Sequence, residues 1–147
     1  MKKNVFFIIV LILSANVAVF SQTAVSVPGN FIGTWWVDGS QEANTHEYGI
    51  QFLMSIEIKR DGTWIVGIKC ISYNQIGDNF LIEAGFTDGQ AMIRESGYVT
   101  GATPVQIALT RVGETQVWDR LTIDGNDLLD KDRRRYTKNE PQRIRRQ

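Results

Sequence analysis

The residues of this 147-residue chain that could do chemistry are few and scattered. Its only histidine, His46, stands beside Glu47 in a polar stretch. An imidazole next to a carboxylate has the parts of a general base, but such a base needs a positioned partner and a nucleophile. No Gly-x-Ser-x-Gly, no Ser/His/Asp order and no Cys/His signature accompanies it. A metal site needs His, Cys or carboxylates clustered at ligand spacing, and His46 with Glu47 supplies too few. The only cysteine, Cys70, lies in the apolar run Trp64 to Ile71, with Lys69 as its one cationic neighbour. That setting suits a small buried hydrophobe rather than an activated thiol. Arg94 and Arg111 sit within alternating apolar segments, and Arg134 lies two residues before Tyr136. Facing inward, such a guanidinium would pair with an anionic head group; facing outward, it is simply solvated. With no matched acid, base and nucleophile, the sequence points to a non-catalytic chain that needs no cofactor and no metal.

The elements that must position these residues read as strands. Ile50, Phe52, Met54, Ile56 and Ile58 alternate with Gln51, Leu53, Ser55, Glu57 and Lys59, a period of two. Arg60-Asp61-Gly62-Thr63 then makes a hairpin turn, because Asp-Gly tolerates positive φ. Eight strands are expected, at 31–37, 50–59, 64–73, 80–86, 91–99, 105–110, 116–123 and 127–136, with Gly97 marking a bulge. The segment Asp38 to Tyr48 is a loop or short helix at the mouth. The even spacing and Gly-containing turns predict an all-β fold: one up-and-down antiparallel barrel closed by pairing the last strand with the first. Closure removes strand edges that would otherwise invite aggregation.

The ends differ from the body. Lys2 and Lys3 precede an apolar run from Val5 to Phe20, followed by Ser21. This has the form of a signal peptide over residues 1–21, cleaved after Ser21. The run is about 16 residues and contains Ser14 and Asn16, short of the roughly 20 apolar residues of a spanning helix. No Cys follows it to carry a lipid anchor, so the mature chain is expected to be secreted or periplasmic, with no transmembrane segment. Residues 22–30 form a flexible leader, 31–138 the barrel domain, and 139–147 a basic disordered tail. From Gln22 to Asp130 there are six basic and fourteen acidic residues; from Lys131 to Gln147 there are eight basic and two acidic. Such a tail could touch an anionic surface, although it lacks a specific nucleic-acid signal.

Phe31-x-Gly33-x-Trp35 at the start of the domain, with Arg134-Arg135-Tyr136 at its end, resembles the calycin superfamily. Within it the similarity is to lipocalins and small bacterial lipocalin-like domains. The resemblance implies that Trp35 closes the barrel floor beneath a basic residue of the last strand, Arg133 or Arg135. Gly33 would then permit close backbone approach. Arg134-x-Tyr136 also resembles the Arg-x-Tyr with which intracellular fatty-acid-binding proteins hold a carboxylate, although export argues against membership of that family.

Two functions follow as expectations. In the first, the barrel binds a small apolar or amphipathic ligand, lipid or fatty-acid-like, in its interior. The candidate contacts are Phe52, Met54, Ile56, Val66, Ile68, Phe80, Ile82, Ile107 and Leu109, with Arg94, Arg111, Arg134 and Tyr136 as polar anchors. In the second, bulky side chains fill the barrel, and an envelope or extracellular interaction module works through its loops or basic tail.

Overall fold

The computed structural model describes residues 25–146. The expected signal peptide lies outside these residues, as do Gln22, Thr23, Ala24 and Gln147. The strands are β1 Gly33–Asp38, β2 Ile50–Ile58, β3 Thr63–Ser72, β4 Ala91–Ala102, β5 Gln106–Arg111, β6 Val117–Asp124, β7 Asp127–Leu129 and β8 Arg135–Tyr136. Helix α1, Gln75–Glu83, joins β3 to β4, and a 3-10 turn, Thr45–Tyr48, precedes β2. Each strand pairs antiparallel with the next in chain order, giving a single eight-stranded sheet. Trp36 and Thr137 exchange backbone hydrogen bonds of 2.7 and 2.8 Å, so the sheet curls into a nearly closed barrel. The fold is the expected all-β, up-and-down one.

Eight strands are present, but they are not the eight expected. Residues 80–86 are not a strand. Asn74 caps a helix instead, its side chain accepting the Gly77 N–H at 2.9 Å. At the other end Gly85, at φ 73, turns the chain so that Phe86 N–H reaches Leu81 carbonyl at 2.8 Å and Gly85 N–H reaches Ile82 carbonyl at 3.1 Å. That paired cap is a helix-stop device, in which glycine takes the left-handed position and an apolar residue follows. The period-two pattern of Phe80, Ile82, Ala84 and Phe86 was coincidental; only Leu81 of this helix's apolar side chains is buried. The expected last strand, in turn, breaks into β7 and β8 around a turn at Asp130–Arg134.

Register also shifts at Val66/Gly67, Val99/Gly101 and Leu109/Thr110. Gly97, expected at a bulge, is regularly paired with Trp64 and Arg111. A Cβ there would lie 1.9 Å from the Thr110 carbonyl oxygen and 2.7 Å from the Trp64 ring. Only glycine allows that approach.

Candidate functional site

The barrel interior has a buried apolar core. Phe31, Trp35, Ile58, Trp64, Val99, Ile107, Leu109 and Leu128 are all buried and pack as one cluster. Trp35 donates its indole N–H to the Phe31 carbonyl at 2.8 Å. The segment expected to be a flexible leader is docked where described: Val27 joins the core, and Val25 N–H reaches Val99 carbonyl at 3.2 Å. The cation over Trp35 is neither Arg133 nor Arg135 but Lys138, whose ammonium sits 4.8 Å from the ring centre. Arg135 instead pairs with Asp124 and Asp127 at 2.5 and 3.0 Å, and Arg133 occupies the turn at φ 64. Gly33 is needed for its φ of 126, not for close approach, since a Cβ there would meet nothing within 4 Å.

The upper half holds a pocket of about 310 Å³. Met54 and Ile56 of β2, Val66 and Ile68 of β3, and Leu121 of β6 form its apolar wall, and Tyr136 lies at one side. Trp118 enters because β6 bulges. Thr110 faces Val117 and Leu109 faces Asp119, which leaves Trp118 as the extra residue. Bulges commonly redirect a side chain in this way. The Trp118 ring stacks on Trp64 at 5.0 Å and carries the Arg111 guanidinium at 5.1 Å. A larger hollow of about 530 Å³ lies by the β6–β7 hairpin, where Trp35 and Ile123 are joined by Asn30, Asn126, Asp127, Thr137, Lys138 and Asn139. Small-molecule sites are mainly apolar with a few convergent polar groups, and the upper pocket, walled by five aliphatic side chains and Trp118 beside Asp119, Asp130 and Arg134, has that composition.

Its polar side is built by the turn between β7 and β8. Asp130 Oδ1 accepts the N–H groups of Asp132 and Arg134 at 2.9 and 2.8 Å. Asp119 Oδ1 accepts those of Arg120 and Lys131 at 2.6 and 3.0 Å. Burial pushes the Asp119 carboxyl above the usual range, repulsion from Asp130 adds to this, and the backbone N–H bonds oppose it. Burial likewise raises Tyr136, with Asp130 reinforcing it and Arg134 opposing. Arg134 reaches across the mouth to Glu42 in the loop before β2, at 2.5 Å. Burial alone would weaken that guanidinium's charge, but Glu42 and Tyr136 raise its pKa overall.

Of the residues expected to contact a ligand, Met54, Ile56, Val66, Ile68, Arg94, Arg134 and Tyr136 line this pocket together. Ile107 and Leu109 are fully buried in the core and do not line the pocket. Phe52 is half-buried, its ring pressed toward Gly39, where a Cβ would lie 2.9 Å away. Phe80 and Ile82 lie on α1, 39% and 76% exposed, and do not line it. Arg111 sits outside, 3.1 Å from Glu95. The sequence reasoning missed Trp118, Asp119, Asp130 and Glu42. The first two sit in an ordinary alternating strand, so only the bulge reveals them. Asp130 had a signal, since an aspartate two residues before another polar residue commonly bonds its own turn.

Cys70 is half-buried, and burial raises its thiol pKa, consistent with an unactivated side chain. His46 Nδ1 lies 3.1 Å from the Tyr73 hydroxyl. No group of three metal-ligating side chains occurs among the described residues.

Residues 139–146, expected to be loose, fold back over the outer face of β2 and β3. Gln51, 2% exposed, donates to the Gln142 carbonyl and accepts from the Ile144 N–H, both at 3.0 Å. Arg143 pairs with Asp88 at 2.6 Å, Arg146 with Asp78 at 2.6 Å, and Glu140 with Lys69. Much of the tail's charge is therefore met by the acidic body.

No family model, no curated protein and no solved structure matches this chain.

Proposed function

We propose that this chain is an exported, lipocalin-like carrier that takes a small apolar or amphipathic molecule into the upper pocket of its barrel, without catalysis. The observation that carries this reading is the pocket of about 310 Å³ that Met54, Ile56, Val66, Ile68 and Leu121 wall on its apolar side, beside a convergent set of polar groups. That volume lies at the lower end of the usual small-molecule range of about 300–1,000 Å³. Export rests on the apolar run after Lys2 and Lys3. No helix of the described residues is long and apolar enough to cross a membrane. The engagement of Arg143 and Arg146 with Asp88 and Asp78 weakens the alternative, in which the tail contacts an anionic surface.

Trp118 lines the pocket and supplies the test. Titration with 1-octanol should change tryptophan fluorescence saturably, and Ile68→Trp, which adds bulk to the wall, should abolish uptake. Native mass spectrometry of gently purified protein should show a co-purified small molecule. A flat titration together with a bare polypeptide mass would refute the carrier reading.

A further inference from the structure

We propose that the head group held in this pocket is cationic, an ammonium on a short apolar body, drawn in by Asp119 and Asp130. The inference rests on the upper pocket being a ligand site and names the chemistry of its ligand.

Both carboxylates line the pocket and are nine-tenths buried, at 9% and 8% exposure. In each, one oxygen is fully used. Asp119 Oδ1 takes two backbone N–H groups, and so does Asp130 Oδ1. The second oxygens are open. Asp119 Oδ2 has no hydrogen-bond donor among the described residues, and Asp130 Oδ2 meets only the Tyr136 hydroxyl, at 3.5 Å.

No described lysine or arginine forms an ion pair with either carboxylate. Lys131 acts on Asp119 only through space, without a direct ion pair, and the Arg134 Nε is buried without a partner. Arg134 pairs with Glu42 at 2.5 Å, Arg111 with Glu95 at 3.1 Å, and Lys131 Nζ donates to the Trp118 carbonyl at 3.2 Å. Arg94 is exposed at the rim. Two neighbouring carboxylates largely buried without a direct ion pair are costly, and burial in a protein ordinarily comes with pairing.

An ammonium supplies what is missing: a positive charge and three N–H donors. A carboxylate head in the same place would face two like charges, so the Arg134-x-Tyr136 pair does not make this a fatty-acid site. The room is modest. At roughly 30 Å³ per water-sized group, 310 Å³ holds a head group and a chain of about eight carbons.

Calorimetric titration of the full chain with n-octylamine, 1-octanol and octanoate, at neutral pH and low salt, isolates the head group on a constant tail. Octylamine should bind best and octanoate worst, separated by about tenfold or more, as charge-assisted pairing in a buried site implies. In Asp119→Asn the ratio of octylamine to octanoate affinity should collapse. If 1-octanol binds but octanoate equals or exceeds octylamine, the cationic assignment fails while the pocket stands. If none of the three binds, both fail. A saturable response to calcium chloride alone, lost in Asp119→Asn, would assign the carboxylates to a metal ion and overturn the proposal.

Discussion

Gln51 and Ile144, 93 positions apart, are joined by a 3.0 Å hydrogen bond from the Ile144 backbone to the Gln51 side chain. The same amide donates to Asp38 at 2.8 Å and to Gln142 at 3.0 Å. One buried side chain thus ties the end of β1 to the C-terminal segment. Removing it leaves three polar groups short of a partner, each a desolvation cost. Gln51→Ala should lower unfolding free energy by about 1–3 kcal/mol, and truncation after Lys138 should do the same. Urea denaturation of both variants checks this. If truncation leaves the midpoint unmoved, the tail contacts are not formed in solution.

Trp35 and Lys138 test the floor. Trp35→Ala should cost about 3–5 kcal/mol, as expected for an aromatic buried to 1% exposure. Lys138→Ala should cost only about 0.5–1 kcal/mol, because cation–π contacts at exposed sites are weak. Thermal melts of the two, alongside Arg135→Ala as a control for the residue the family resemblance had suggested, rank the contributions.

The helix caps give a local test. Asn74→Ala should destabilise by about 1 kcal/mol through loss of the bond to Gly77 N–H. Gly85→Ala should also cost about 1 kcal/mol, since alanine resists φ 73. Gly77→Ala should be worse than either, because its Cβ would lie 2.4 Å from the Gly49 carbonyl oxygen. Retained stability in all three would argue against a helix at 75–83.

Asp119 and Asp38 should respond oppositely to pH. Burial raises Asp119 above the ordinary 3.8, so its contribution is present below that value and lost as pH rises through its folded value. Burial also acts to raise Asp38, but hydrogen bonds from the Ser40 hydroxyl, the Gln51 amide and the Ser40 N–H, with help from His46, bring it below 3.8. Its contribution is present above that value and lost as pH falls through its folded one. Relative to wild type, the deficit of Asp119→Asn should therefore shrink between about pH 3 and pH 6, and that of Asp38→Asn should grow. Denaturation midpoints across this range check it, and slopes of the same sign would contradict the assigned environments.

How much of this was legible beforehand depends on the distance over which each feature is determined. The alternation from Ile50 to Ile58 and the Asp61-Gly62 turn are local: period-two burial and permitted φ act within a few residues. They suffice for the barrel class and the inward placement of Met54, Ile56 and Val66. Where two local signals competed, period alone misled. Phe80 to Phe86 alternates as a strand would, yet the Asn74 cap and the Gly85 stop make a helix, and those end signals outweigh a four-residue pattern. What lay beyond reach was decided between segments far apart in the chain. The bulge that turns Trp118 inward exists only against β5. Lys138 covers Trp35 only because the barrel closes, and Arg143 and Arg146 of the tail are paired only because the fold brings Asp88 and Asp78 beneath them. The sequence by itself determined the strands' repeating faces, since these follow from backbone geometry. The pocket, its two buried carboxylates and the docking of both chain ends were decided by tertiary structure, because burial and pairing belong to residues that meet only after the sheet has curled.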